Sequence, residues 1–296
     1  MSQSRRSFLK AMGTISLTAV SAKESKATPK NILSDDRLGV LVDTTVCIGC
    51  RQCEYACKVE HGLPAGDIDD YSDRSVFETR RRPDHTALTV VNEYPAEDPR
   101  QKSVTVKVQC MHCDHPACVS ACIVGAFTKE ENGAVIWDGG RCIGCRYCMV
   151  ACPFQVPAFE FNKAIQPRIM KCDFCYETRT SKGLTAACVE ACPTEALTLG
   201  KRYELIQVAH ERIRENPQRY IDHVFGEHEA GGTSWLYLGG QEFLKLGFPD
   251  VGTKPAPSAT EPIQHAIFKF FVPPVALYAL LGGIMWLGKQ SSEEEE

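Results

Sequence analysis

The chain has 296 residues, 44% hydrophobic and 24% charged, with a formal net charge of −4 that vanishes once the four C-terminal glutamates are set aside. That balance leaves no basic excess for nucleic acid, and a mean hydropathy of −0.20 excludes a multi-span membrane protein. Sixteen cysteines are too sparse in this length for a small disulfide scaffold.

The first segment, residues 1–27, opens on SRRSFLK and continues through a mildly apolar stretch into a run rich in Lys and Ser. It reads as a twin-arginine export signal around Arg5 and Arg6, with Ser4, Phe8, Leu9 and Lys10 as context. A chance surface pair is the alternative. Cleavage after Ala22 suits a small-residue site, and Ala27 is a second choice. This route carries folded proteins.

The cysteines then arrive in four groups of four with none left over: Cys47, Cys50, Cys53, Cys57; Cys110, Cys113, Cys118, Cys122; Cys142, Cys145, Cys148, Cys152; and Cys172, Cys175, Cys188, Cys192. Three closely spaced thiolates can wrap one face of a cubane, and a fourth farther on points toward a second cluster. Pro153 and Pro193 complete the bacterial ferredoxin pattern. Zinc is the competing reading, but structural zinc sites come as two CxxC or HxxxH pairs and need no third and fourth cysteine at fixed short spacing. Four [4Fe–4S] clusters are therefore expected.

The first and third motifs, CIGCRQCEYAC and CIGCRYCMVAC, form an internal repeat. Gly49 and Gly144 stand where the backbone must approach a cluster. Arg51 and Arg146 follow the second cysteine of each copy and either raise a cluster's potential or form surface salt bridges. His112 and His115 invite a ligand role, but cysteines already saturate four cubanes, so packing or hydrogen bonding is expected.

Between the first two motifs, the insert 58–109 carries the alternating runs TALTVVNEY and SVTVKV, which predict a strand pair. Arg80, Arg81 and Arg82 before it are a solvated charge run or a docking patch for an acidic partner. After Cys122, two short apolar runs flank Asn132-Gly133 and predict a hairpin, making 110–153 an inner two-cluster unit. An outer unit forms only if the chain closes on itself, so the strand near Leu38–Val42 should pair with that near Ala196–Leu199. Given that closure, the crossed ligation of two-cluster ferredoxins groups Cys47, Cys50 and Cys53 with Cys192, and Cys172, Cys175 and Cys188 with Cys57. It likewise groups Cys110, Cys113 and Cys118 with Cys152, and Cys142, Cys145 and Cys148 with Cys122.

From about residue 38 to 200 these motifs resemble the four-cluster ferredoxin-type electron-transfer subunits of respiratory complexes, such as the iron-sulfur subunits of dimethyl sulfoxide reductase and formate dehydrogenase. With both termini considered, the chain is most similar to the iron-sulfur subunits of the high-molecular-weight cytochrome c (Hmc) complex and of membrane-bound nickel-iron hydrogenases. The stretch RYIDHVFGEHEAGGTSWLYL also resembles the Hmc subunit. The chain departs from the ferredoxin pattern at Lys58 and Ile123, where Pro would follow the last cysteine. The resemblance implies an electron-transfer subunit rather than an enzyme, meeting a multihaem cytochrome c and an NrfD-like, quinone-linked integral membrane subunit. A hydrogenase or molybdoenzyme catalytic subunit is the alternative donor, and a zinc-stabilised membrane scaffold is the alternative of another class.

The expected fold is α+β: two bacterial-ferredoxin-like two-cluster units plus one C-terminal transmembrane helix. The cluster domain spans 38–252, including an extension at 201–252 in which YELIQVAHERIR has helical apolar spacing. A Pro/Ser/Thr tether at 253–265 leads to an anchor at 266–289 and an acidic tail at 290–296. Phe270 to Gly288 holds no charge, and at ~1.5 Å per residue spans ~28 Å, close to a bilayer's hydrocarbon thickness. Pro273 and Pro274 fall in its first turn. Ala279 and Gly283 form a small-xxx-small pair for a partner helix, or face lipid. Export then places the globular part on the periplasmic side of the inner membrane.

Overall fold

A computed structural model describes residues 37–97, 100, 102–258, 260–261, 278–279, 281–283 and 285. The export signal read at 1–27 and the acidic tail lie outside these residues, as does all of the anchor except 278–279, 281–283 and 285, which are helical. Among the described residues, no helix is long and apolar enough to cross a membrane.

The first strand, β1 (Leu38–Asp43), is buried over five of its six residues because it has a neighbour on each edge. The helix α1 (Gln52–Glu60) follows the first motif. It runs past Cys57 because Lys58, unlike the usual proline, keeps its backbone N–H and leaves the preceding residue free to be helical. The insert supplies β2 (Thr89–Tyr94) and β3 (Val104–Gln109), antiparallel from Thr89↔Gln109 to Tyr94↔Val104, as the alternating runs predict. The inner unit contributes α2 (Ala117–Ser120), β4 (Phe127–Lys129), β5 (Val135–Trp137) and α3 (Tyr147–Ala151). Strands β4 and β5 pair around Asn132-Gly133, and Gly133 takes a φ of 92°. That turn docks on the outer unit, where the Leu38 N–H donates to the Asn132 carbonyl at 2.9 Å.

Two short strands that the sequence did not suggest, β6 (Ala158–Phe159) and β7 (Ile169–Met170), pair next. They are followed by α4 (Ala187–Glu190), β8 (Leu197–Lys201), α5 (Arg202–Glu215) and β9 (Trp235–Leu238). Strand β8 pairs antiparallel with β1, with Leu38 opposite Lys201 and Val42 opposite Leu197, so the chain closes on itself as expected. The other edge of β1 takes β9 in parallel, Val40 opposite Trp235.

Alternation along these strands divides the sheet's surroundings. Val40, Val42, Trp235 and Tyr237 share a core with Cys175 and Cys188. Leu41, Leu236 and Leu238 face Leu205, Ala209 and Ile213 of α5. Those three helical residues recur at four-residue steps and form one apolar stripe. The helix thus covers the sheet face opposite the cysteines.

Candidate iron-sulfur sites

The two copies of the repeated motif adopt the same backbone. Gly49 and Gly144 have φ of 69° and 71°, and Arg51 and Arg146 have 60° and 63°. These left-handed residues flank the second cysteine of each motif, the glycine between the first and second cysteines and the arginine between the second and third, and the glycine's lack of a Cβ suits its position. At Gly49 a second constraint applies, because an added Cβ would stand 2.7 Å from Thr105 Cγ2. Thr105 Oγ1 also donates to the Cys47 carbonyl at 2.9 Å, so β3 clamps the loop.

None of the sixteen cysteines is in a disulfide. Cys47 lies within electrostatic reach of Cys50 and Cys192, and Cys53 within reach of Cys47. Cys57 acts on Cys172, Cys175 and Cys188. Cys113 is surrounded by Cys152, Cys110 and Cys118, and Cys148 by Cys122, Cys142 and Cys145. Each three-cysteine group thus meets a fourth thiol from a different motif. Electrostatic reach also extends from group to group, from Cys53 to Cys188, from Cys172 to Cys110 and from Cys118 to Cys148.

A second link ties the first motif to the fourth. His61, in the turn after α1, places Nε2 2.8 Å from Asp173 Oδ1 and Nδ1 2.8 Å from the Cys57 carbonyl. Burial opposes charge on this imidazole, but Asp173 and the Cys57 thiolate prevail and raise it to about 11.

The donor set fits a polynuclear cluster better than single ions. Zinc at ~2.3 Å from each sulfur draws thiolates to roughly 3.8 Å from one another. Among the described residues, the trio whose donor atoms lie within 4.8 Å of each other is His61, Asp173 and Cys175, with no trio of cysteines that close. Burial, joined by neighbouring thiols, also raises Cys47, Cys53, Cys113, Cys118, Cys152, Cys172, Cys175 and Cys188, and Cys148 to about 11. Four such thiolates in one place require the positive charge of a bound centre. Some backbone N–H groups already point at sulfur, as from Ala126 to Cys122 Sγ at 3.2 Å and from Phe174 to Cys172 Sγ at 3.4 Å.

Several charged residues behave differently from expectation. Arg80 and Arg82 are exposed, as in a solvated run, and each of the three arginines is also tied to another part of the fold. Arg80 donates to the Gly247 carbonyl and Arg82 to Gln155. Arg81 binds the buried Glu54 at 2.6 and 3.1 Å. Glu54 also receives Arg51 at 3.3 Å and the Val91 N–H at 2.6 Å, so Arg51 forms a salt bridge that is buried rather than on the surface. Arg146 is exposed and stacks over Phe159 and Phe161.

His112 is fully buried, and its Nδ1 accepts the Val135 N–H at 2.8 Å, consistent with a packing role. Burial, with Lys171 nearby, keeps its pKa well below the ordinary histidine value. The sequence reading missed two buried lysines, Lys107 and Lys171, that lie among cysteines of different motifs. Their signal was present but slight: each stands one to three residues before a motif's first cysteine, in KVQC and KC.

Residues 101–202 match the family described as a 4Fe-4S dicluster domain. A protein of Nitratidesulfovibrio vulgaris is 50% identical over 86% of this chain and 70% of its own length. The hydrogenase-2 operon protein HybA of Escherichia coli O157:H7 is 32% identical over 93% of this chain and 92% of its own. The iron-sulfur subunit of the nitrate-inducible formate dehydrogenase of Escherichia coli K12 is 32% identical over 77% of each chain. The matches reach past the dicluster region into the whole four-motif body, and with the thiol grouping above they establish that this chain belongs to the ferredoxin-type iron-sulfur subunits of respiratory complexes, which carry multiple [4Fe–4S] clusters and transfer electrons.

Proposed function

We propose that the four thiol groups hold four [4Fe–4S] clusters in the crossed pattern, with Cys47, Cys50, Cys53 and Cys192 at one end of a row. Cys172, Cys175, Cys188 and Cys57 come next, then Cys110, Cys113, Cys118 and Cys152, and finally Cys142, Cys145, Cys148 and Cys122. The observation that carries this reading is the chain of thiol neighbours linking each group to the next. When bound, such clusters take up and release single electrons. The chain's own residues hold them as thiolates, fix their spacing and keep water from the middle of the row. At the far end Cys145 is exposed, with Ile143, Tyr147 and Val150 exposed around it, which suits contact with a redox partner.

In this reading the protein is an electron-transfer subunit with no catalytic site of its own. It is exported by the signal at 1–27, faces the periplasm and is anchored in the inner membrane by 266–289. Its partners are a multihaem cytochrome c on the soluble side and an NrfD-like quinone-linked subunit in the membrane. The near end-to-end match to a hydrogenase-2 operon protein supports a second reading, in which a nickel-iron hydrogenase subunit is the donor.

Iron and acid-labile sulfide measured on anaerobically purified protein should give four [4Fe–4S] equivalents per chain. Two equivalents in a fully loaded sample, or zinc in their place, would contradict the assignment.

A further inference from the structure

Lys107 is 2% exposed, yet among the described residues it has no carboxylate at salt-bridge distance. Its ammonium donates to Gln109 Oε1 at 2.9 Å and lies 4.3 Å from the centre of the Trp235 ring. The negative groups that bear on it are the thiolates of Cys188, Cys53 and Cys172 and the phenol of Tyr237. That phenol is held neutral, since its O–H donates to the Lys107 carbonyl at 2.9 Å while its oxygen accepts from Gln109 Nε2 at 2.7 Å. Burial pushes its pKa up as well.

A buried cation without a counter-charge costs several kcal/mol. Here the available counter-charge is cysteine sulfur, from the first group through Cys53 and from the fourth through Cys188 and Cys172. A [4Fe–4S] core held by four thiolates is anionic, and reduction adds one more negative charge. A fixed cation beside it therefore favours the reduced form. Arg51, the residue whose position in the motif suggested this role, is paired with Glu54 and offers little net charge.

Resting on the ligand groups proposed above, we propose that Lys107 is the shared counter-ion of the junction between the Cys47/Cys50/Cys53/Cys192 and Cys172/Cys175/Cys188/Cys57 clusters and raises both reduction potentials. One side chain then sets two neighbouring steps of the row, while the clusters of the inner unit are set by other groups.

The test is an EPR-monitored redox titration of the full chain, with iron and sulfide counted on each sample. Lys107→Met is expected to keep four clusters and to show two of the four potentials lowered, each by a tenfold or greater fall in the reduction equilibrium, about 59 mV for one electron. Lys107→Arg, which keeps the charge, should retain the native potentials. Iron loss in Lys107→Met with full loading and native potentials in Lys107→Arg also supports the charge requirement. Unchanged potentials in a fully loaded Lys107→Met, equal shifts in both variants, or iron loss in both would overturn the proposal. Fewer than four clusters in the unsubstituted protein would instead refute the ligand reading on which it rests.

Discussion

Gly49 is constrained by its φ of 69° and by Thr105 at 2.7 Å from where a Cβ would sit, whereas Gly62 has a similar φ of 60° with open space around it. Adding a methyl group at Gly62 meets only the left-handed backbone penalty of about 1–2 kcal/mol. At Gly49 the same penalty is joined by a collision inside the clamp on Cys47. Gly49→Ala should therefore bleach at a clearly lower temperature than Gly62→Ala when visible cluster absorbance is followed on heating. Equal midpoints would show that the Thr105 contact yields freely. The repeat made Gly49 readable from sequence, because its copy Gly144 stands at the same offset. Arg81 was not readable, since its partner Glu54 lies on another element 27 residues away and nothing local marks the pair.

Elements with a local signature were the ones the sequence exposed. The β2–β3 and β4–β5 pairs show alternation or a turn dipeptide, and β1–β8 was inferred because an outer two-cluster unit forms only if the chain closes on itself. Strand β9 had no such mark: its four residues are all buried, so alternation is absent, and its parallel pairing with β1 depends on where the chain returns. With two residues each, β6 and β7 are too short for periodicity to register. The helix α5 shows how separable these parts are. Leu205 is 4% exposed and packs with Leu41 and Leu236 on the sheet face opposite the cysteines. Leu205→Ala should cost about 2–5 kcal/mol by opening a cavity there, measured as a fall in the denaturant midpoint, while iron content stays native. Loss of iron at unchanged stability would place the helix's role at the clusters instead.

Across the whole molecule, the decisive feature is closure. The first and fourth motifs are more than a hundred residues apart, yet β1 and β8 pair, His61 meets Asp173, and Cys57 lies among Cys172, Cys175 and Cys188. The sixteen cysteines and their spacing announced four sites, and the flanking strands indicated which motifs must meet. The order proposed for the groups was not legible, because it depends on thiols brought together by the closed fold rather than on any spacing within a motif. The two buried lysines escaped notice for the same reason, since a lysine's environment is fixed by tertiary packing.

The most direct measurement of the crossed arrangement compares three single substitutions in anaerobically purified protein by EPR of the reduced clusters. Cys192→Ser should alter the same cluster signal that Cys47→Ser alters and leave intact the one altered by Cys175→Ser. If Cys192→Ser instead perturbs the signal that depends on Cys175, the motif's cysteines serve one cluster together and the crossed assignment is contradicted.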